Sequence, residues 1–171
     1  QKTETVHWHA VFTASRAEKK VRDRLEELGV ECFLPVQTVL RQWTYRKSRV
    51  VVPVIAGLVF VRVGRQEQVK VLQTKGVVAF LRLKGEAGAA VIPDKQMEDF
   101  RFLLDFSEEA VEMTNENIKA GDLVRVVKGS LRGMEGELIR HKGVTKVLVR
   151  IDMLGCAMVN IPASFVEKLN K

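Results

Sequence analysis

The chain has little of what most enzymes and most secreted or membrane proteins are built from. Of its 171 residues only two are cysteines, Cys32 and Cys156. Two lone thiols far apart in sequence make no disulfide framework; they read as small buried hydrophobes in a reducing compartment, so a cytoplasmic protein is expected. No apolar run approaches the roughly 20 residues that cross a bilayer, and the longest, residues 50–60, is interrupted by Pro53 and Gly57. Membrane contact is therefore not expected. The opening Gln1-Lys2-Thr3-Glu4 lacks the apolar segment of a secretory signal. It also lacks a methionine, which fits a start left by processing or by cloning. Three scattered histidines, His7, His9 and His141, have no cysteine or carboxylate at ligand spacing, so no metal site is expected. There is no nucleophile motif and no Gly-Lys-Ser/Thr loop to cradle a phosphate. Glu26-Glu27 and Glu108-Glu109 read as solvated faces, not acid/base pairs. The pattern points away from an enzyme and implies no cofactor.

What is present is basic charge, unevenly placed. The net charge is +7. Residues 1–104 carry 18 basic and 11 acidic side chains, residues 105–119 one basic and five acidic, and residues 120–171 nine basic and five acidic. Two basic bodies flank an acidic connector, an arrangement suited to nucleic acid or to an acidic partner.

The pattern along the chain predicts an α+β protein in two parts. Residues 6–13 read as a first strand. Ser15 and Glu18 have the spacing of a capping box, and Ala17, Val21, Leu25 and Leu28 share one helical face that ends at Gly29. A strand over residues 30–34 meets Pro35, resumes over residues 36–43, and turns at Tyr45-Arg46-Lys47-Ser48-Arg49. Residues 50–63 predict one long β segment, bent or bulged at Pro53 and Gly57. A short helix over residues 66–74 should bury Val69 and Leu72, and a later one should bury Met97, Phe100, Leu103 and Leu104. The resulting first part is an α/β sandwich on a mainly antiparallel sheet, residues 5–106. Residues 107–118 are acidic and poor in large apolar groups, and read as a flexible linker. In residues 119–171, Val124/Val126, Val147/Val149/Ile151 and Val159/Ile161 alternate with polar residues between regularly placed glycines, as in a small all-β barrel.

The stretch Ala120-Gly121-Asp122-Leu123-Val124-Arg125-Val126-Val127-Lys128-Gly129, followed by Gly133-Met134-Glu135-Gly136, resembles an SH3-like KOW module. Trp8 in the first strand, Ala56-Gly57-Leu58-Val59-Phe60-Val61, Lys75-Gly76-Val77-Val78-Ala79-Phe80 and Ile92-Pro93-Asp94 extend the likeness over nearly the whole chain. Together they resemble the NusG-type transcription elongation factors: an NGN domain, a linker and a KOW domain. Val6-His7-Trp8, Glu31-Cys32-Phe33-Leu34-Pro35 and Val52-Pro53-Val54 are most similar to the specialised UpxY/RfaH branch, which includes regulators of capsular polysaccharide operons.

The resemblance implies a non-enzymatic factor that binds the clamp helices of the largest subunit of RNA polymerase and suppresses pausing and termination. By position, the apolar docking patch would be Trp8, Phe12, Ile55, Leu58 and Phe80. The chain departs from the family at Ile55-Ala56-Gly57-Leu58, where aromatics are usual, and at Glu67-Gln68-Val69, where the RfaH branch carries a His-Thr-Thr contact to the polymerase gate loop. Contacts to DNA of the transcription bubble would come from Arg16, Lys19, Lys20 and Lys75, with Arg46, Lys47 and Arg49, beside Arg41, as a second basic cluster. The KOW module would recruit ribosomal protein S10 through Met153 and Leu154, where a housekeeping member carries a Phe and also serves the Rho terminator. A monomer is expected. The alternatives are a KOW-containing RNA-binding or ribosome-associated protein acting through Arg125, Lys128, Arg132, Arg140 and Lys142, a housekeeping NusG, and an enzyme with a KOW appendage.

Overall fold

The computed structural model describes residues 5–169. Its chain contacts group into two units: residues up to 36 with 55–94, and residues 37–54 with 95 onward. Among the described residues there are three α-helices, and every strand pairing with a described register is antiparallel. No described helix is long and apolar enough to cross a membrane.

The first unit is built on a four-stranded sheet. Strands β1 (His7–Thr13), β2 (Glu31–Phe33), β5 (Leu58–Val63) and β6 (Val77–Phe80) lie in the order β2-β5-β1-β6. Val11 of β1 and Val59, Val61 and Val63 of β5 share one core with Val21 and Leu25 of helix α1 (Glu18–Glu27) and Val71 of helix α2 (Arg65–Leu72). Period-2 side chains on the strands meet period-3.6 side chains on the helix, as the sequence pattern requires. The alternate residues of the strands, Ala10, Leu58 and Phe60, are buried too. Phe33 and Phe60 stack with ring centres 6.2 Å apart.

Three local expectations fail in this unit, each for a visible reason. Ser15 does not cap α1: the helix begins at Glu18 after Ala17, with no side-chain cap. The Glu18 carboxylate instead accepts the Gly57 N–H at 2.8 Å, and the preceding Arg16 takes a left-handed turn (φ 61°). Gly29 does end the helix with a left-handed φ of 77°. Helix α2 is rotated from its expected setting: Val71 is buried, while Val69 and Leu72 are 57% and 45% exposed. The long β segment is two strands in two sheets. Strand β4 (Lys47–Pro53) stops at Pro53, which has no N–H for a ladder, and β5 starts after Gly57 at φ 70°. In the same way the run broken by Pro35 becomes β2 and β3 (Val36–Gln42), which belong to different sheets.

The second unit holds the β3-β4 hairpin, helix α3 (Asp94–Phe106) and a six-stranded sheet. The sheet runs β12-β8-β9-β10-β11-β7, from β7 (Glu112–Thr114), β8 (Asp122–Val126), β9 (Glu135–His141), β10 (Val144–Ile151), β11 (Gly155–Asn160) and β12 (Val166–Lys168). In α3 Met97, Phe100 and Leu103 are buried, as their spacing predicts. On β10 and β11, Val147, Leu148, Ile151, Met158 and Val159 are all nearly inaccessible, so these central strands are covered on both faces.

Within the stretch expected to be a flexible linker, residues 112–114 form β7 and pair with β11. Its acids find partners, which the low apolar content of the segment does not reveal. Glu112 accepts from Lys146 Nζ at 3.1 Å, and Glu116 lies 3.2 Å from His141 Nε2. The Arg150 guanidinium donates to both Glu137 oxygens at 2.7 and 3.0 Å and to the Ile118 carbonyl at 2.8 Å. A Cβ on Gly121 would collide with the Leu138 carbonyl, so that strand entry admits only glycine.

Candidate functional site

Of the five residues expected to form one apolar patch, the structure brings some together and separates others. Phe12 on β1 lies opposite Leu58 on β5. Val11 lies opposite Phe80 on β6, and both belong to the core shared with α1. Successive residues of β1 point to opposite faces, so Phe80 lies on the other side of the sheet from Trp8, Phe12 and Leu58. Burial narrows the patch further: Trp8 and Phe80 are each 6% exposed and Leu58 only 1%, whereas Phe12 is 40% exposed. Ile55 is half-buried beside exposed Ala56. Trp8, Leu58 and Phe80 are thus core residues here, and the accessible apolar groups are Phe12 and Ile55. The departure from usual aromatics at this turn could not show which neighbours were already covered.

Residues 54–57 present Ile55, and two anchors at Gly57 hold their end. The Gly57 carbonyl accepts from the Thr13 N–H at 2.9 Å, and its own N–H donates to Glu18 at 2.8 Å. Glu18 is 8% exposed. A carboxylate so withdrawn from water is costly unless hydrogen-bonded, so this contact is a specific fixture of the turn. Sequence reasoning assigned Glu18 to a capping box; the turn it holds is 39 residues away. Nearby in the first strand, burial pushes the His9 imidazole below its ordinary value, with the Ala90 carbonyl 2.8 Å from Nδ1 opposing that shift.

The basic residues form two separate groups. Arg16, Lys19 and Lys20 are exposed on the approach to α1 and its first turn. Lys75 joins them because the chain closes here: the Ala14 N–H donates to the Gly76 carbonyl at 2.8 Å, and Arg24 Nη1 donates to the Lys75 carbonyl at 2.7 Å. Arg46, Lys47 and Arg49, with Arg41, lie exposed on the β3-β4 hairpin. Also in the second unit, Met153 is 40% exposed and left-handed (φ 69°), and Leu154 is half-buried. Their loop is held by a reciprocal pair between Gln96 and Asp152, at 2.8 and 2.9 Å, and borders a cavity of about 360 Å³. Among the described residues no group of three His, Cys, Asp or Glu side chains could hold a metal ion. Burial pushes the Cys32 thiol up to about 11, which makes it a poor nucleophile.

The family described as "Transcription termination factor nusG" matches residues 6–101. The chain belongs to the NusG family. NusG proteins are transcription factors without enzymatic activity, and members of the family bind RNA polymerase. Among solved structures, the chain is similar to Thermotoga maritima NusG ("Domain interaction in Thermotoga maritima NusG"), with 23% identity, a TM-score of 0.51, and coverage of 97% of this chain and 98% of that one. That is a likeness of fold. Conformation B of the MjSpt4:Spt5 complex matches at 19% identity and TM-score 0.28, covering 96% of this chain and 97% of that one. Conformation A matches at 17% identity and TM-score 0.26, covering 96% and 99%. No curated protein matches the chain in sequence.

Proposed function

We propose that this protein is a bacterial elongation factor that docks on the clamp helices of RNA polymerase and suppresses pausing and termination at particular operons. The observation that carries the proposal is the NusG-family match over residues 6–101, coupled to an exposed Phe12 beside the anchored Ile55-Ala56-Gly57 turn. An accessible apolar edge on a fixed backbone suits contact with a helical surface. Phe12 and Ile55 are the docking residues; Trp8, Leu58 and Phe80 support them from the core. Arg16, Lys19, Lys20 and Lys75 of the first unit contact DNA phosphates, and the hairpin cations of the second unit contact nucleic acid as a separate group. The likeness of short motifs to the UpxY/RfaH branch supports operon-specific antitermination, with capsular polysaccharide operons as the candidate targets. Residues 119–171 act as the KOW module, reached through an acidic connector, and recruit ribosomal protein S10 through Met153 and Leu154.

The rival reading, an RNA-binding KOW protein, needs free cations along β8, β9 and the loops that follow them, where Lys128, Arg132, Arg140 and Lys142 are exposed. Arg125 is engaged there by Glu135 at 3.3 Å and Glu167 at 3.9 Å. The test is association of the full chain with purified bacterial RNA polymerase. Phe12→Asp should abolish it and leave the unfolding temperature within a few degrees, because Phe12 is already partly in water. Undiminished association of Phe12→Asp would reject this docking surface.

A further inference from the structure

The β3-β4 hairpin carries two aromatic side chains that neither the core nor the polymerase contact uses. Trp43 is 51% exposed and Tyr45, in the turn, is 96% exposed. A folded protein gains nothing in stability from a tyrosine so fully in water, and two such rings in one turn are unusual surface. The turn itself is fixed. The Trp43 N–H donates to the Arg46 carbonyl and the Trp43 indole N–H donates to Ser48 Oγ, both at 2.6 Å. The indole is therefore held across the turn by its N–H edge, with about half of the residue open to solvent.

The charge around these rings has one sign. Residues 32–66 contain no Asp or Glu, and the hairpin places Arg41, Arg46, Lys47 and Arg49 on either side of the two rings. All four cations are exposed, and none of them forms an ion pair among the described residues. Duplex DNA offers phosphates but hides its base faces in the stack. An unpaired strand offers both, and aromatic rings interleaved with cations are the surface that takes both.

We propose that the tip of the β3-β4 hairpin binds an unpaired nucleic-acid strand, stacking bases on Tyr45 and Trp43 while Arg41, Arg46, Lys47 and Arg49 hold the phosphates. This narrows the nucleic-acid contact proposed above from phosphate attraction to recognition of single-strandedness. Stacking reads the base face and not the sugar, so melted DNA and RNA share the chemistry the site needs.

The experiment is fluorescence anisotropy of the full chain with a labelled oligothymidylate, the matching oligouridylate and the corresponding DNA duplex, at one fixed salt concentration. The wild type should bind at least one single strand several-fold more tightly than the duplex, and the tighter of the two names the source as DNA or RNA. Tyr45→Ala should weaken single-strand binding about tenfold, within the range for one lost stacked base, and leave duplex binding unchanged. Tyr45→Phe should restore it. Arg46→Gln with Lys47→Gln should weaken single strand and duplex alike and flatten the salt dependence. Equal affinity for duplex and single strands, or a single-strand preference that survives Tyr45→Ala combined with Trp43→Ala, would overturn the proposal. No polymerase is present in this assay, so failure of the docking model at Phe12 would leave its result readable.

Discussion

The chain has two tryptophans, and they have opposite fates. Trp8 lies in β1 of the four-stranded sheet and is 6% exposed, with its carbonyl accepting from the Ile92 N–H at 2.9 Å. Trp43 lies at the end of β3 on a two-stranded hairpin and is 51% exposed. Trp8 stands between His7 and His9 and Trp43 between Gln42 and Thr44, so both have polar neighbours and neither local sequence announces its environment. The difference comes from what each sheet can cover. The four-stranded sheet is covered on both faces, with Val11 buried on one and Trp8 and Leu58 on the other, whereas an isolated two-stranded ribbon has too little surface to bury a ring. The lesson is that the apolar residues most easily recognised as a docking patch are those the larger sheet has already absorbed, and the freely available rings sit where the family likeness does not direct attention.

The largest effect should separate the two directly. Trp8→Ala should cost about 3–5 kcal/mol of stability, the usual range for truncating a large buried aromatic, whereas Trp43→Ala should cost less than about 1 kcal/mol, the worth of one exposed hydrogen bond. Urea denaturation followed by far-ultraviolet circular dichroism measures both, and equal losses would break the contrast.

Next in size is Glu18. Glu18→Ala leaves the Gly57 N–H without its carboxylate and should cost about 1–3 kcal/mol, together with weaker polymerase association because Ile55 loses its fixed presentation. Glu18→Gln keeps an acceptor and should recover most of both. Loss of polymerase association in both variants at wild-type stability would show that the carboxylate's charge, not its positioning of the turn, matters.

The two units should also differ in how acid loosens them. His9 is held neutral by burial, with its pKa below the ordinary 6.5. The unfolded chain then takes up the proton first, so the stability this group supports is present above pH 6.5 and declines as pH falls through the folded value. Glu137 is depressed below its ordinary 4.5: burial alone would raise it, but the bonds from Arg150 and the Gly121 N–H outweigh that. Its contribution is full above about pH 4.5 and is lost only as pH falls through the lower folded value. Hydrogen exchange at a series of pH values should therefore show the four-stranded sheet weakening first and the six-stranded sheet later. His9→Gln should remove the first step and Glu137→Gln the second; simultaneous weakening in the wild type would contradict the assignment.

The smallest effect should be Tyr45→Ala, which belongs at a surface position and should move stability by no more than about 0.5 kcal/mol. A larger change by thermal denaturation would mean that the ring is packed in solution and is not free for a ligand.

Much of this architecture was legible because its signals are local. The α1 stripe of Val21 and Leu25, the Gly29 stop, the α3 face of Met97, Phe100 and Leu103, and the alternating valines of β8 follow from periodicity, and the structure shows each, whereas β10 buries Leu148 as well as Val147 and Val149. What was not legible depended on partners distant in sequence. Glu18 looked like half of a capping box because Ser15 stands three residues before it; its partner at Gly57 leaves no trace near residue 18. Val69 and Leu72 looked like the buried pair of a short helix, but eight residues carry too little periodicity to fix which face turns inward, and Val71 does so. The ordering of residues 112–114 was hidden because β7 relies on backbone pairing and on Lys146 and His141, not on apolar bulk of its own. For the candidate site, residue types and positions were readable, but facing was not: Phe80 pairs across from Val11 and so points away from Phe12.

The most direct test of the account is single-round transcription by bacterial RNA polymerase through a strong pause and an intrinsic terminator, with saturating wild-type protein or its Phe12→Asp variant. The account predicts shorter pauses and more read-through with the wild type, and neither with Phe12→Asp. Pause lifetimes and termination unchanged by the wild type, with the organism's own polymerase on its own operon leader, would contradict it.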